Sequence, residues 1–462
     1  MDATEKISRF VVDTRYERIP PEVVATAKTA LLDCLGVALA GSQEDCAKIC
    51  AGIARQENAN GEATLLGQGF KSSALCAALA NGTAAHALDY DHSFTMMGQP
   101  TAPIIPAIVS LGDSLGASGR AVLEAYVCGF EVTAKLALSL KDSTQDWHAP
   151  GTLGSLGATV ACAKLLQLNA SEFAMALGMT ASMASGVAAN FGTMTKPLHV
   201  GLGARNGVLA AKLAQAGYTA NAKALEAGGG FLETFYLAAP PENGPLNELG
   251  RVHELIDAGI KIKAYPCGGL AHTAIDAVLD MRATHQIAPD AVESIEANVS
   301  QHTYSRIAFK IPQTALQGKF SMGYILARAI IDGKIGLDTF TDSAIRDRRV
   351  LELAEKVNMK LDPALNASAA GTRPAKVTIR LKGGKSFSRE VVSPKGSAES
   401  PLSADELKEK FVECARRAIK EPAIQRALES VQHLETLDDI RPLCQVLSGE
   451  PQGGVISGRS HL

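Results

Sequence analysis

A chain of 462 residues is longer than one hydrophobic core usually supports, so two domains are expected. Its composition, 46% apolar and 20% charged, is that of a globular protein and excludes wholesale disorder. A net charge of -3, with no Arg/Lys-rich stretch interleaved with aromatics, leaves no electrostatic footprint for nucleic acid or an anionic membrane surface.

The apolar stretches Ala102–Leu111 and Gly207–Leu213 are interrupted by Gly, Pro, Lys or Asp short of bilayer length, so no membrane insertion is expected. The N-terminus has no basic region leading into an apolar core, and no secretory signal is expected. Nine cysteines scattered from Cys34 to Cys444 read as reduced core thiols, the usage of a cytoplasmic protein. Cys46 and Cys50 stand one helical turn apart, but no second Cys or His pair accompanies them, so they are not read as a metal clip.

In chain order, Pro20-Pro21 opens a helix that runs through EVVATAKTALLDCLGVALAG, with proline in its first turn and glycine at its end. Further Ala/Leu/Gly-rich helices are predicted at Ser72–Asp89, Gly119–Leu140, Thr152–Leu166, Ala170–Ala189 and Gly203–Ala216. Their small residues allow close helix packing, and few carry a charged face, so they are read as buried.

The pattern changes near Tyr265-Pro266. After a helix at Leu270–Thr284, strand-like alternation is seen at Val292–Val299, Ala375–Leu381 and Ser386–Val392, with Lys382–Lys385 as a hairpin turn between the last two. From Ser403 a helix returns, with Ser403 and Glu406 spaced as a capping box. The expected fold is mainly α: a large helical domain, discontinuous in sequence (1–265 and 401–462), with a smaller α+β lid domain (266–400) inserted. The tail Gly449–Leu462 is expected to fray.

Five segments concentrate groups able to do chemistry. In HALDYDHSF (His86–Phe94), helical spacing sets His86 and Asp89 on one face, with Asp91, His92 and Ser93 on the following loop. Asp89, Asp91 and His92 are hard metal ligands, but the chain has no matching ligand motif, and a capped helix end explains them equally well. Trp147-His148-Ala149-Pro150-Gly151 puts a histidine at a helix entrance, where it caps, packs or acts as an acid or base near neutral pH. In FGTMTKPLH (Phe191–His199), Pro197 favours an extended or turn conformation at Lys196. Lys196, His199 and Arg205 then stand near a helix N-terminus, a setting for carboxylates or a plain basic loop. Gly201, Gly203 and Gly207 imitate a dinucleotide fingerprint, but no strand precedes them. KAYPCGGLAH (Lys263–His272) lies at the domain boundary, where loops commonly line clefts, and Cys267 lacks any Cys-His-Asn context. KFSMGY (Lys319–Tyr324) sets Ser321 and Tyr324 on one helix face and reads as core packing by itself.

The order of HALDYD, the Pro100–Ala107 stretch, TKPLH, KAYPC, FSMGY and the late Pro394-Lys395-Gly396 and Pro401-Leu402-Ser403 resembles the MmgE/PrpD family over nearly the whole chain. That family contains 2-methylcitrate dehydratases, cis-aconitate decarboxylases and an iminodisuccinate epimerase. The resemblance implies a helical domain with an α+β lid, a homodimer, and no metal or organic cofactor. Residue by residue, it carries the family's acidic position onto Asp89, the hydroxyl onto Ser93, the loop histidine onto His148 and the lysine onto Lys196. It carries the boundary lysine onto Lys263 and the tyrosine onto Tyr324. This chain departs from the pattern in having His92 for an aspartate, Gln99 for a histidine and Gly268 where decarboxylases carry a further histidine, with His272 close by. These gaps weigh against decarboxylation, and FGTMTKPLH and DHSF are closer to the epimerase branch.

Dehydration, decarboxylation and epimerisation all develop negative charge beside an anionic carboxylate, so cations must clamp the substrate while another group moves a proton. The resemblance assigns catalysis to Asp89, His148, Lys196 and Tyr324. Ser93, Gln99, His199, Arg205, Lys263 and His272 are the expected substrate-binding residues. The expected activity is that of a cofactor-independent lyase of the dehydratase type on a small di- or tricarboxylic acid, with epimerisation of a substituted succinate as the alternative. A non-catalytic binding protein is the reading outside enzymology.

Overall fold

Small residues decide how the helices of this chain meet. The computed structural model describes residues 2–57, 61–94, 97–140, 147–238, 244–307, 309–367 and 372–450. The chain divides into two units, Met1–Ile260 with Ala404–Leu462, and Lys261–Ser403. Most of the predicted frayed tail lies outside the described residues.

Unit 1 begins with α1 (Ala3–Asp13), α2 (Pro21–Gly41) and α3 (Asp45–Gln56), then an antiparallel pair, β1 (Ala63–Leu65) and β2 (Phe70–Ser72). It continues through α4 (Ala74–Ala87), α5 (Thr101–Leu115), α6 (Gly119–Ser139), α7 (Ala149–Leu165), α8 (Ala170–Met183), α9 (Thr195–Gln215) and α10 (Phe231–Tyr236). Local chemistry sets these boundaries. Ser73 and Ser118 accept hydrogen bonds from Cys76 N and Ala121 N as N-caps of α4 and α6, and Asn169 with Glu172 forms a capping box on α8. Gly116, left-handed at φ +64°, ends α5.

The helices α4 and α9 cross almost backbone to backbone. A Cβ on Gly201 would lie 2.3 Å from Thr83 Oγ1 and 2.4 Å from the Leu79 carbonyl, and one on Gly82 would lie 2.9 Å from Gly201 Cα. Only glycine at both positions lets the two axes approach this closely. Helix α2 is long and apolar enough to cross a membrane, but 72% of its apolar window is buried inside the fold, as a core helix requires.

Unit 2 holds α11 (His272–His285), β3 (Val292–Val299), α12 (Gln301–Arg306), α13 (Ala315–Gly318), α14 (Met322–Asp332), α15 (Arg348–Ala354), β4 (Val357–Leu361), β5 (Ala375–Leu381) and β6 (Ser386–Val391). Its sheet has the order β4-β3-β5-β6, antiparallel except for the parallel β3–β4 pair. Gly384, at φ +82°, lies in the β5–β6 turn. Ile295, Ala297 and Val299 of β3 and Val377 and Ile379 of β5 point into a core shared with Ile275 and Val278 of α11 and Ile325 of α14. The chain then returns to unit 1 as α16 (Ala404–Ala415), α17 (Glu421–Gln432) and α18 (Arg441–Leu447). Phe411 of α16 enters the unit 1 core against Gly36 of α2. The mainly α fold expected from the sequence is therefore present.

Two local readings are corrected. Helix α9 begins at Thr195, eight residues before the predicted Gly203, so Lys196 is helical rather than extended. Pro197 is accommodated because the first turn of a helix leaves its N–H groups unpaired in any case. Helix α4 ends at Ala87, and Asp89 lies beyond it at φ +52° instead of on its face.

Candidate active site

Unit 1 brings the three principal candidates together. Asp89 sits just past α4 in the left-handed conformation that glycine usually takes after a helix end, and its N–H donates to the His86 carbonyl at 3.2 Å. A non-glycine residue there costs about 1 kcal/mol or more and persists only where its surroundings enforce it. Lys196, in the first turn of α9, donates from Nζ to Asp89 Oδ1 at 2.8 Å with both side chains buried. The Lys196 ammonium also lies 5.7 Å from the centre of the Phe191 ring.

His148 precedes α7, and its N–H donates to the Gly186 carbonyl at 2.8 Å. Its ring meets three others: His199 of α9, Nδ1 to Nδ1 at 3.3 Å, His86 of α4 at 5.2 Å between centroids, and Phe191 edge-on at 5.1 Å. Gly186, at φ +129°, leaves room for this cluster, since a Cβ there would lie 3.2 Å from the His199 ring.

Burial dominates the electrostatics. It holds His148 well below the ordinary imidazole range, helped by His86, Lys196 and His199. Burial and the same cationic neighbourhood push His199 down, and burial also lowers His86 against the pull of Asp91. All three imidazoles are therefore inclined to be neutral, and a neutral imidazole has one nitrogen free to accept a proton. Among the described residues, Nε2 of His148 and Nε2 of His86 are buried without a hydrogen-bond partner.

Sequence reasoning placed His92 with Asp89 and Asp91 as the sharper metal reading. His92 instead turns to Asp33 of α2, which accepts from its backbone N–H at 3.1 Å and faces Nδ1 at 2.9 Å. His92 Nε2 meets Thr101 Oγ1 at 2.6 Å, and that hydroxyl meets Tyr126 at 2.8 Å. Lys410 of α16 completes the group, with Nζ 2.6 Å from Asp33 Oδ1 and donating to the Tyr90 carbonyl at 3.0 Å. Burial works to raise the Asp33 carboxyl, but Lys410 and His92 outweigh it and hold it below the usual range. These contacts clamp the loop that carries Asp89 and Asp91.

His86 takes the place foreseen for His92. Its Nδ1 lies 2.9 Å and 3.1 Å from the two Asp91 oxygens. Ligand atoms of His86, Asp89 and Asp91 lie within 4.8 Å of one another, a spacing that suits a cation, yet the Lys196 ammonium already supplies that charge. Sequence reasoning noted His86 but left it out of the site, and Asp33 and Lys410 were missed altogether. The only signal for His86 was its place in HALDYD.

The remaining candidates fall in different settings. Ser93 and Gln99 are half-buried in the loop between α4 and α5. Arg205 lies nine residues beyond Lys196 on α9, about 13 Å along its axis. It donates to Asn206 Oδ1 at 3.3 Å. In unit 2, Lys263 is buried, and His272 opens α11 with Nε2 3.4 Å from the Cys267 carbonyl and its ring edge-on to Tyr265. Tyr324 is wholly buried. Its hydroxyl donates to the Thr339 carbonyl at 2.5 Å and accepts from Arg328 Nε at 3.1 Å, while Ser321 caps α14. Cys267 is buried, and all nine cysteines are free thiols.

Residues 5–243 match the MmgE/PrpD N-terminal domain model, and residues 265–436 match the MmgE/PrpD C-terminal domain model. The chain is similar to a cis-aconitate decarboxylase of Mus musculus, 27% identical over 461 residues that cover 96% of this chain and 93% of the relative. A cis-aconitate decarboxylase of Homo sapiens is likewise 27% identical, over 96% of this chain and 94% of its own length. That of Aspergillus terreus is 25% identical over 96% of both. With two successive domain models matched and relatives aligned along nearly its full length, the chain belongs to the MmgE/PrpD family.

Proposed function

We propose that the protein is a lyase acting on a small di- or tricarboxylic acid, moving a proton at the carbon beside a carboxylate. The observation that carries this reading is the buried Lys196–Asp89 pair set beside neutral His148. Loss of water from a β-hydroxy acid needs one group to take the α-proton and another to protonate the departing hydroxyl. In this reading His148 Nε2 takes the proton, the electron pair of the broken C–H bond forms the new double bond, and hydroxide leaves as water with a proton from Lys196 Nζ. Proton exchange with solvent restores both residues. Lys196 supplies the positive charge that a divalent cation would otherwise provide, and Asp89 keeps it ionised and aimed. The relatives named above are cis-aconitate decarboxylases, whose reaction cleaves a carbon–carboxylate bond, and they support the broader lyase class. The resemblance sets Gln99 where the family commonly carries a histidine and Gly268 near a further histidine of the decarboxylases, and on that ground we favour dehydration over decarboxylation.

Incubation with 2-methylcitrate, citrate, cis-aconitate and substituted succinates in deuterium oxide, followed by proton NMR, tests the reading. A new vinylic signal from a hydroxy acid is expected. Deuterium entering a succinate without a new double bond would replace dehydration by epimerisation, and loss of carbon dioxide from cis-aconitate would replace it by decarboxylation. His148→Ala should lower turnover by at least about a hundredfold. Because protonation removes the lone pair, activity should fall with falling pH only below the ordinary imidazole value of about 6.5.

A further inference from the structure

The Asp91–His86 pair has no task in the reaction as just derived, yet both members are buried and the His86 ring lies beside that of His148. An ionised carboxylate can only accept hydrogen bonds, so with Nδ1 at 2.9 Å and 3.1 Å from the Asp91 oxygens the ring proton of neutral His86 sits on Nδ1. The lone pair is then on Nε2, which is buried and has no partner among the described residues. The His86 ring lies 5.2 Å from the His148 ring, whose own Nε2 is in the same condition.

We propose that Asp91 and His86 are positioning residues that fix the His86 tautomer and thereby make room for positive charge on His148. The inference rests on the functional reading above. When His148 takes a proton from substrate carbon, no covalent bond to His86 forms or breaks. A His86 held with its lone pair on Nε2 presents the negative end of its ring dipole and passes on the field of the Asp91 carboxylate. The opposite tautomer would present an N–H and oppose the imidazolium. The charged and titratable groups facing the two rings are Asp91, Asp89, Lys196 and His199, drawn from the loop after α4 and from α9. Lys196 and His199 oppose the new charge, as a protonated His86 would, while Asp89 favours it; a neutral His86 with its lone pair on Nε2 removes one of these opponents. The same arrangement of a carboxylate behind an imidazole sets tautomer and orientation in other acid–base sites.

The test has two arms on the full chain. Long-range nitrogen–proton NMR of uniformly labelled protein reads the tautomer directly, with the His86 signals identified by their loss in His86→Gln. A protonated, pyrrole-like Nδ1 and a pyridine-like Nε2 at neutral pH are expected; the reverse tautomer would overturn the proposal. In the second arm, Asp91→Asn keeps size and polarity but removes the charge, while its carbonyl oxygen can still accept from Nδ1–H, so the variant isolates the carboxylate's field. It is expected to lower kcat at least about tenfold with KM little changed, and to move the acid limb of the pH profile to lower pH. An unmoved limb with unchanged kcat would overturn the proposal. If no polycarboxylate is turned over, the functional reading fails, whereas the NMR arm still decides the tautomer on its own. If Asp91→Asn does not fold, the wild-type spectrum decides the matter.

Discussion

Replacing Lys196 by methionine keeps most of the side-chain volume and deletes one charge. The partner left behind is Asp89, buried, held at φ +52°, with the lost ammonium 2.8 Å from Oδ1. At that distance the attraction is about 6 kcal/mol for an effective dielectric of about 20, before desolvation is set against it. Breaking such a buried pair on one side costs roughly 3–5 kcal/mol net, because the surviving carboxylate is left without its counter-charge. The variant escapes part of this by protonating Asp89, whose folded-state affinity for a proton then exceeds its unfolded one. The folded variant binds the extra proton at lower pH, so its stability falls as pH rises through the raised pKa, at up to about 1.4 kcal/mol per pH unit. Removing Lys196 also relieves the repulsion on His148 and His199, which acts with the same sign. Urea unfolding of wild type and Lys196→Met, followed by circular dichroism at about pH 5.5 and about pH 8, measures both effects. A deficit of about 3 kcal/mol at the higher pH that shrinks at the lower is expected. Equal deficits at both, or none at either, would refute the claim that an ionised Asp89 depends on Lys196.

Gly201→Ala drives a methyl into Thr83 Oγ1 and the Leu79 carbonyl, and the α4–α9 crossing must open. It should cost about 1–3 kcal/mol and lower turnover by displacing Lys196 from Asp89; an unchanged melting temperature would count against that crossing. Lys410→Met strands Asp33 beneath α16 and should destabilise by about 3–5 kcal/mol. Adding Asp33→Asn should recover part of that loss, and strict additivity of the two would deny their coupling.

Much of the scaffold could be read in advance because its signals are local. Prolines open α2, serines cap α4 and α6, and alternating residues mark β3 and β5. The start of α9 was misread because a proline after Lys196 has opposite meanings inside a loop and in a first helical turn. Strand β4 was overlooked although VNMKL alternates apolar and polar residues; it is only five residues long and takes its place by pairing in parallel with β3. Within the site, Asp89 and Lys196 were visible through motifs, but their pairing spans 107 residues and leaves no trace in spacing. His92 was assigned to the wrong neighbours for a similar reason. Its carboxylate partner, Asp33, lies 59 residues upstream, and nothing in HALDYDHSF distinguishes that partner from the adjacent Asp89 and Asp91.

The closure of unit 1 by α16 has a consequence for how the chain comes off the ribosome. Lys410 reaches back across 320 residues to the Tyr90 carbonyl and to Asp33. At about 5–20 residues per second, Asp33 is synthesised roughly 20–75 s before the lysine that pairs with it. Until α16 is made, Asp33 has His92 but not Lys410 to offset its burial, and Lys261–Ser403 is translated within the same interval. Vectorial synthesis thus leaves completion of unit 1 to the last helices translated, after the inserted unit.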